Sequence, residues 1–215
     1  MSIKWEVDTP VIEERKNGPL VVKGVTRISR TDGEPVEAMP VMALCRCGHS
    51  KEKPFCDGSH VEAGFKSTND APRREDRLKA YEGDEVTVYY NPRLCAHVGI
   101  CVRQAGNVFR SKETPWIQPD RGTVAEIEAV VAACPSGALQ MSKPGEKPEQ
   151  CFIERDQITV QKDGPYWVQD VQPPEPEEAK GSTARKYVLC RCGQSDSKPF
   201  CDGTHKDVGW TDDQS

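Results

Sequence analysis

Two segments of this chain carry the same set of metal donors at the same spacing, and that pattern limits what the chain can fold into. Cys45, Cys47, Cys56 and His60 follow C-x-C, eight residues, then C-x-x-x-H, and Cys190, Cys192, Cys201 and His205 repeat it. The residues between the donors are turn formers and charges, too polar for a core strand. Three thiolates and one imidazole make a four-ligand site, and structural zinc uses the same set. Zinc knuckles, however, typically place about two to four residues between their first two cysteines. Here a single residue separates them, which suits two sulfurs on one iron of a two-iron cluster, with the third cysteine and the histidine on the other. Spacing alone favours iron–sulfur and leaves zinc as the alternative.

The repeat extends beyond the donors. Lys16-Asn17-Gly18-Pro19 and Lys162-Asp163-Gly164-Pro165 are matching turn signals. A short apolar strand follows each, at Leu20–Val25 and Tyr166–Val171. A second strand, Val41–Leu44 or Tyr187–Leu189, runs into the first cysteine of each motif. Gly64-Phe65 and Gly209-Trp210 trail the two histidines at the same offset. Whole modules are therefore duplicated, and duplicated modules often pack as homodimers do, about an approximate two-fold axis.

The string C-x-C-x-x-S-x-x-x-P-x-C-D-G-[S/T]-H, with Ser50, Pro54, Asp57 and Gly58 in one copy and Ser195, Pro199, Asp202 and Gly203 in the other, closely resembles the CDGSH, or NEET, iron–sulfur proteins. The resemblance implies a 2Fe–2S cluster in each module, held by Cys45, Cys47, Cys56 and His60 and by Cys190, Cys192, Cys201 and His205. Asp57 and Asp202 are expected to N-cap a short helix beginning at Gly58 or Gly203. Ser50 and Ser195 are read either as donors to sulfur or as turn residues.

Residues 76–160 follow another plan. Glu85–Tyr90 reads as a strand, and Thr123 to Ala133 as a helix with a Thr123/Glu126 capping box and an apolar face of Ile127, Val130, Val131 and Cys134. Cys151 to Val160 reads as a return strand. A third cysteine trio, Cys95, Cys101 and Cys134, lies here, with Cys134-Pro135 echoing the C-P of ferredoxins. Val98 occupies the position of the missing second cysteine. About residues 84–160 resemble the divergent single-cluster ferredoxin domains, which have a C-x5-C, a helix and a C-P-x-G-A-L. Three thiolates suffice for a 3Fe–4S cluster. A 4Fe–4S cluster needs another ligand, for which His97 is the nearest candidate; its plainer reading is a surface histidine. For the trio as a whole the plainer reading is buried structural cysteines.

Composition narrows the function. Ten cysteines, nine of them in three trios, without an apolar signal core in Met1–Asp8, point to metal sites rather than disulfides and to the cytoplasm. A net charge of −5 argues against a nucleic-acid surface, and no apolar run is long enough for a membrane span. The expected fold is α+β: a CDGSH module over 1–70, a ferredoxin-like domain over 76–160 and a second CDGSH module over 161–215. The two modules form a pseudo-two-fold pair, and 172–185 forms a Pro-rich linker. The chain is expected to be a monomer with an internal pseudo-dimer and to transfer single electrons to a redox partner protein rather than act as an enzyme. The alternatives are a carrier that hands clusters to an apo-acceptor protein, or a redox and pH sensor; structural zinc in a binding module carries the least weight.

Overall fold

The computed structural model describes residues 9–68 and 72–213. The leader-free reading of Met1–Asp8 falls outside them. In chain order the strands are β1 (Val11–Glu14), β2 (Leu20–Lys23), β3 (Ile28–Arg30), β4 (Val41–Leu44), β5 (Lys79–Tyr81), β6 (Thr87–Tyr90), β7 (Leu139–Ser142), β8 (Ile158–Val160), β9 (Tyr166–Gln169) and β10 (Lys186–Leu189). The α-helices are α1 (Ile100–Gln104), α2 (Val124–Ala133) and α3 (Thr204–Asp207). The fold is mixed α+β, with small sheets and short helices. Its compact units are 1–73 with 155–177 and 183–215, and 74–154 with 178–182.

In the first unit both repeats build the same three-stranded meander. Asn17 and Asp163 adopt left-handed φ of 53° and 52°, which closes the tight turns β1–β2 and β8–β9. Asparagine and aspartate tolerate this region better than most residues. The next strand, β4 or β10, pairs antiparallel with β2 or β9. The two meanders then exchange edges. β3 of the first copy lies parallel to β8 of the second. Reciprocally, Ile12 donates to the Gln172 carbonyl at 2.9 Å, and Gln172 to that of Pro10 at 2.7 Å. The resulting sheets are β1-β2-β4 and β10-β9-β8-β3. One apolar core serves both copies, with Ile12, Leu20, Val22 and Leu44 packed with Ile158, Val160, Val168 and Leu189.

The expected return strand at 151–160 needs correction. Residues 151–157 carry no strand, and β8 pairs with β9 and β3 rather than with the middle sheet. Ile158 and Val160 are essentially buried because β8 is the second copy of β1, set before the same turn.

The second unit holds the antiparallel sheet β5-β6-β7 against α1 and α2. Thr123 caps α2, accepting from the Glu126 amide at 3.2 Å, while the Glu126 carboxylate accepts from the Thr123 amide at 2.7 Å. Ile127, Val130 and Val131 enter the core beside Val88, Phe109 and Ile117. Part of the expected linker belongs here too. Ala179 is buried, Lys180 donates to Asp76 and accepts from Asn91, and Gly181 accepts from Gln140 and Gln150. Those backbone bonds pin 178–182 as an ordered strap. Among the described residues no helix is long and apolar enough to cross a membrane.

Candidate metal centres

β4 delivers Cys45 into a loop that folds back on the strand. Cys45 donates to the Pro54 carbonyl at 2.8 Å, and Cys56 to that of Ala43 at 2.8 Å, so the first and third cysteines are brought side by side. β10 repeats this, with Cys190 bonded to Pro199 and Cys201 to Val188. Ser50 donates to the Phe55 carbonyl at 2.6 Å and accepts from the Glu52 amide, and Ser195 does the same with Phe200 and Ser197. Both roles read for these serines are met, the hydroxyl closing the turn while the backbone amide of Ser50 bonds the Cys45 sulfur and that of Ser195 the Cys190 sulfur.

Asp57 and Asp202 take a different role from the expected N-cap. Each carboxylate spans the loop: Asp57 accepts from the amides of Lys51 and Ser59, both at 2.9 Å, and Asp202 from those of Asp196 and Thr204. These donors hold the Asp57 carboxyl well below the usual range, the Lys51 amide having the largest effect. The helix in the second copy starts one residue later, at Thr204, and Gly203 in a left-handed conformation is its N-cap. In the first copy the same stretch forms turns.

The donors sit in pairs. Cys45 Sγ and Cys47 Sγ are 3.6 Å apart, and Cys56 Sγ and His60 Nδ1 are 3.4 Å apart. The second copy gives 3.7 Å for Cys190–Cys192 and 3.5 Å for Cys201–His205. A tetrahedral centre with bonds of about 2.3 Å to sulfur holds two sulfurs about 3.7 Å apart, so each pair has the bite of two ligands on one metal atom. Among the described residues no three donors converge on a single ion. Either thiol of the Cys45–Cys47 pair can donate to the other, so one is lowered and the other raised when the pair titrates; Cys190 and Cys192 are related in the same way. Each C-x-C pair thus shares a proton, which metal binding must expel.

Two features around these loops went unread in the sequence. The first is the residue inside each C-x-C, arginine in both copies. Arg46 is buried and donates to the carbonyls of Gly18 and Arg15 and to Ser67 Oγ, with Glu14 3.0 Å away. Arg191 bonds Gln161, Gly164 and Asp212 and stacks on Tyr166 and Trp210. An arginine at the same place in two copies is the one signal the sequence carries for this role. The second is the back-to-back contact of the loops. A Cβ added to Gly48 would lie 2.7 Å from the Cys192 carbonyl oxygen, and one on Gly193 2.6 Å from that of Cys47. Trp210 Nε1 donates to the Gly48 carbonyl at 3.3 Å.

Tyr166 links the copies again: its hydroxyl lies 2.7 Å from the Cys45 carbonyl oxygen and 3.0 Å from that of Pro54. Removing it in Tyr166→Phe leaves the buried Cys45 carbonyl short of a donor, while Pro54 keeps the Cys45 amide, and the expected loss is about 1–3 kcal/mol. Iron loss should be faster at the N-terminal site than at the C-terminal one, although the substitution lies in the C-terminal repeat. Urea unfolding and timed iron release check this; an unchanged N-terminal site would count against the link.

In the middle unit the three cysteines line one cavity. Cys95 follows a short turn capped by Asn91, Cys101 lies in the first turn of α1 behind left-handed Gly99, and Cys134 is the C-cap of α2, where Pro135 ends the helix. Tyr90, His97, Val98, Trp116 and Leu139 are among its other walls. Burial pushes the Cys101 thiol up to about 12, with the neighbouring Cys134 and Cys95 adding to it. The His97 amide and the Tyr90 hydroxyl both hydrogen-bond the Cys95 sulfur. The exposed His97 ring places Nε2 2.7 Å from Arg74 Nη1, so this nitrogen accepts from the guanidinium. This contact suits the surface role read for His97, while its place on the cavity wall keeps it beside the three cysteines.

Comparison with known proteins converges on the same parts. The family described as iron-binding zinc finger, CDGSH type, matches residues 17–61 and 163–206, and the family described as divergent 4Fe-4S mono-cluster matches residues 81–144. The uncharacterised protein YjdI of Escherichia coli (strain K12) is 45% identical over 62 residues, 29% of this chain and 82% of that protein. YjdI of Escherichia coli O157:H7 matches to the same extent.

Proposed function

Since this chain belongs to the CDGSH-type iron-binding family, with a divergent 4Fe-4S mono-cluster domain between its two CDGSH modules, we infer that it is a one-electron carrier, with a 2Fe–2S cluster in each module and, in the middle, a 3Fe–4S cluster on three cysteines, the 4Fe–4S form of the family description being the alternative. The observation that carries this reading is the pairing of donors at 3.4–3.7 Å in both modules. Two pairs per site suit two irons, whereas one zinc would gather all four donors. When bound, such clusters supply reversible one-electron oxidation and reduction.

The chain's own groups do the rest. Cys45 and Cys47, like Cys190 and Cys192, provide two thiolates to one iron. Cys56 with His60, and Cys201 with His205, provide a thiolate and the Nδ1 of an imidazole to the other. The neutral imidazole donates less charge than a thiolate and raises the potential relative to four cysteines. In the middle cavity Cys95, Cys101 and Cys134 supply three thiolates. Val98 offers no fourth ligand, and Arg74 engages the His97 ring, which favours three irons over four. The partner is a redox protein, and the role is transfer rather than catalysis. A second reading, delivery of a cluster to an apo-acceptor, is favoured at the N-terminal site, where Cys56 and His60 are half-buried and Asp57 is exposed.

Anaerobic redox titration of the holo-protein followed by EPR tests the proposal. Two signals from reduced 2Fe–2S clusters and one from an oxidised 3Fe–4S cluster are expected. His60→Cys should lower one 2Fe–2S potential by about 100 mV or more, and His205→Cys the other. Zinc in place of iron and acid-labile sulfide, or potentials that ignore both substitutions, would sink it. Movement of cluster to an apo-ferredoxin without reversible reduction would favour the second reading.

A further inference from the structure

Behind each cluster loop the chain ties itself off, and the two ties differ in chemistry. Seven residues after each motif histidine, at Ser67 and Asp212, the tail meets the left-handed residue of the opening turn, Asn17 or Asp163. In the first copy the Asn17 amide donates to Ser67 Oγ at 2.6 Å and the Ser67 amide to Asn17 Oδ1 at 3.0 Å. In the second the Asp163 amide donates to Asp212 Oδ2 at 3.1 Å and the Asp212 amide to Asp163 Oδ1 at 2.8 Å. The arginine inside the C-x-C completes each tie: Arg46 Nη2 reaches Ser67 Oγ at 2.8 Å, and Arg191 reaches both Asp212 oxygens, at 2.5 and 3.3 Å.

The same three positions thus form a latch in each copy, joining the opening turn, the residue between the first two ligands and the tail beyond the fourth. While it is closed, the histidine cannot swing away without pulling on the segment that carries the other ligands. In the second copy the tail is held by a two-pronged ion pair, in which Arg191 is buried and the Asp212 side chain is about 15% exposed. In the first copy the Arg46 guanidinium reaches only one neutral acceptor on the tail, the Ser67 hydroxyl. The charge of Arg46 is met there by Glu14 on β1, which does not hold the tail. Charge-assisted forked bonds are roughly twice as strong as neutral ones.

We propose that residues 67 and 212 are positioning residues that set how firmly each module retains its cluster, so that the N-terminal site opens and releases first and the C-terminal site is the retained one. The proposal rests on the 2Fe–2S reading of both sites.

The test is loss of the two 2Fe–2S EPR signals from holo-protein held in excess EDTA, with samples reduced and frozen at intervals. Two phases are expected, separated by about tenfold, the difference between a forked bond to a carboxylate and a single bond to a hydroxyl. Asp212→Ser should speed the slow phase about tenfold and leave the fast phase and the middle-site signal unchanged. Asp212→Asn, which keeps hydrogen bonding without the charge, should fall between. Ser67→Asp, which adds a partner for Arg46 and does not depend on tolerating a loss, should slow the fast phase severalfold. Equal rates at the two sites, or substitutions that move both phases together or neither, would overturn the latch. Absence of both signals at time zero would overturn the cluster reading itself, and the latch with it.

Discussion

Alanine in place of Gly48 is expected to lower the stability of the protein by about 2–5 kcal/mol and to strip iron from both CDGSH modules rather than one. Gly48 has φ +85°, where a β-carbon costs about 1–2 kcal/mol. The new methyl would also sit 2.7 Å from a backbone oxygen of the opposite cluster loop and 2.8 Å from Trp210 Nε1. A backbone oxygen in a packed loop cannot step aside as a flexible side chain does, and overpacking of this kind adds about 1–3 kcal/mol. Gly33→Ala is the control. It has φ +90° but nothing within 4 Å of the added carbon, so it should show the conformational cost alone. Urea unfolding with iron and sulfide counts would separate the two. Equal losses in Gly48→Ala and Gly33→Ala would mean that the loops do not bear on each other.

Arg46→Met should cost about 3 kcal/mol and preferentially empty the N-terminal site. The guanidinium is about 1% exposed and satisfies the carbonyls of Gly18 and Arg15 and the Ser67 hydroxyl. Methionine fills much of the volume but leaves the buried Gly18 carbonyl without its donor, while the Arg15 carbonyl keeps the Gly18 amide and the Ser67 hydroxyl that of Asn17. Glu14, about a quarter exposed, can return to water and softens the loss. Arg46→Lys keeps the charge but not the fork, and should recover less than half of it. Thermal unfolding and the N-terminal EPR signal are the readouts. A lysine variant indistinguishable from wild type would show that charge, not geometry, is what the site requires.

Much of the candidate site could be read before the fold was seen, because its logic is local. The cysteine spacing, the Asn17 and Asp163 turns and the Thr123/Glu126 capping box each act over a few residues, and each occurs where its residues predict. What stayed hidden depends on partners distant in sequence. β8 precedes the second turn as β1 precedes the first, so the repeat itself implied a strand there. Its neighbour β3, however, is chosen by tertiary packing. Arg46 and Arg191 were passed over because a spacer between ligands carries no periodic signal. Asp57 and Asp202 misled because an aspartate before glycine suits a helix cap and a loop brace equally well. The strap at 178–182 looked like a linker by composition, and only its hydrogen bonds to Asp76, Asn91, Gln140 and Gln150 reveal otherwise.

The edge exchanged between the repeats also governs the order in which the molecule can be made. Thr26 and Gln157, bonded at the start of the β3–β8 junction, stand 131 positions apart. On the ribosome the first module therefore waits, its sheet edge open, until nearly three-quarters of the chain has emerged, whereas the middle unit is almost continuous in sequence. Contacts that span such distances form late and slowly. The ferredoxin-like unit, completed by its strap at 178–182, should be whole before β10 is made. The paired modules should mature together only after synthesis of the second, so a chain ended between residue 182 and β10 would yield the middle centre without the C-terminal one.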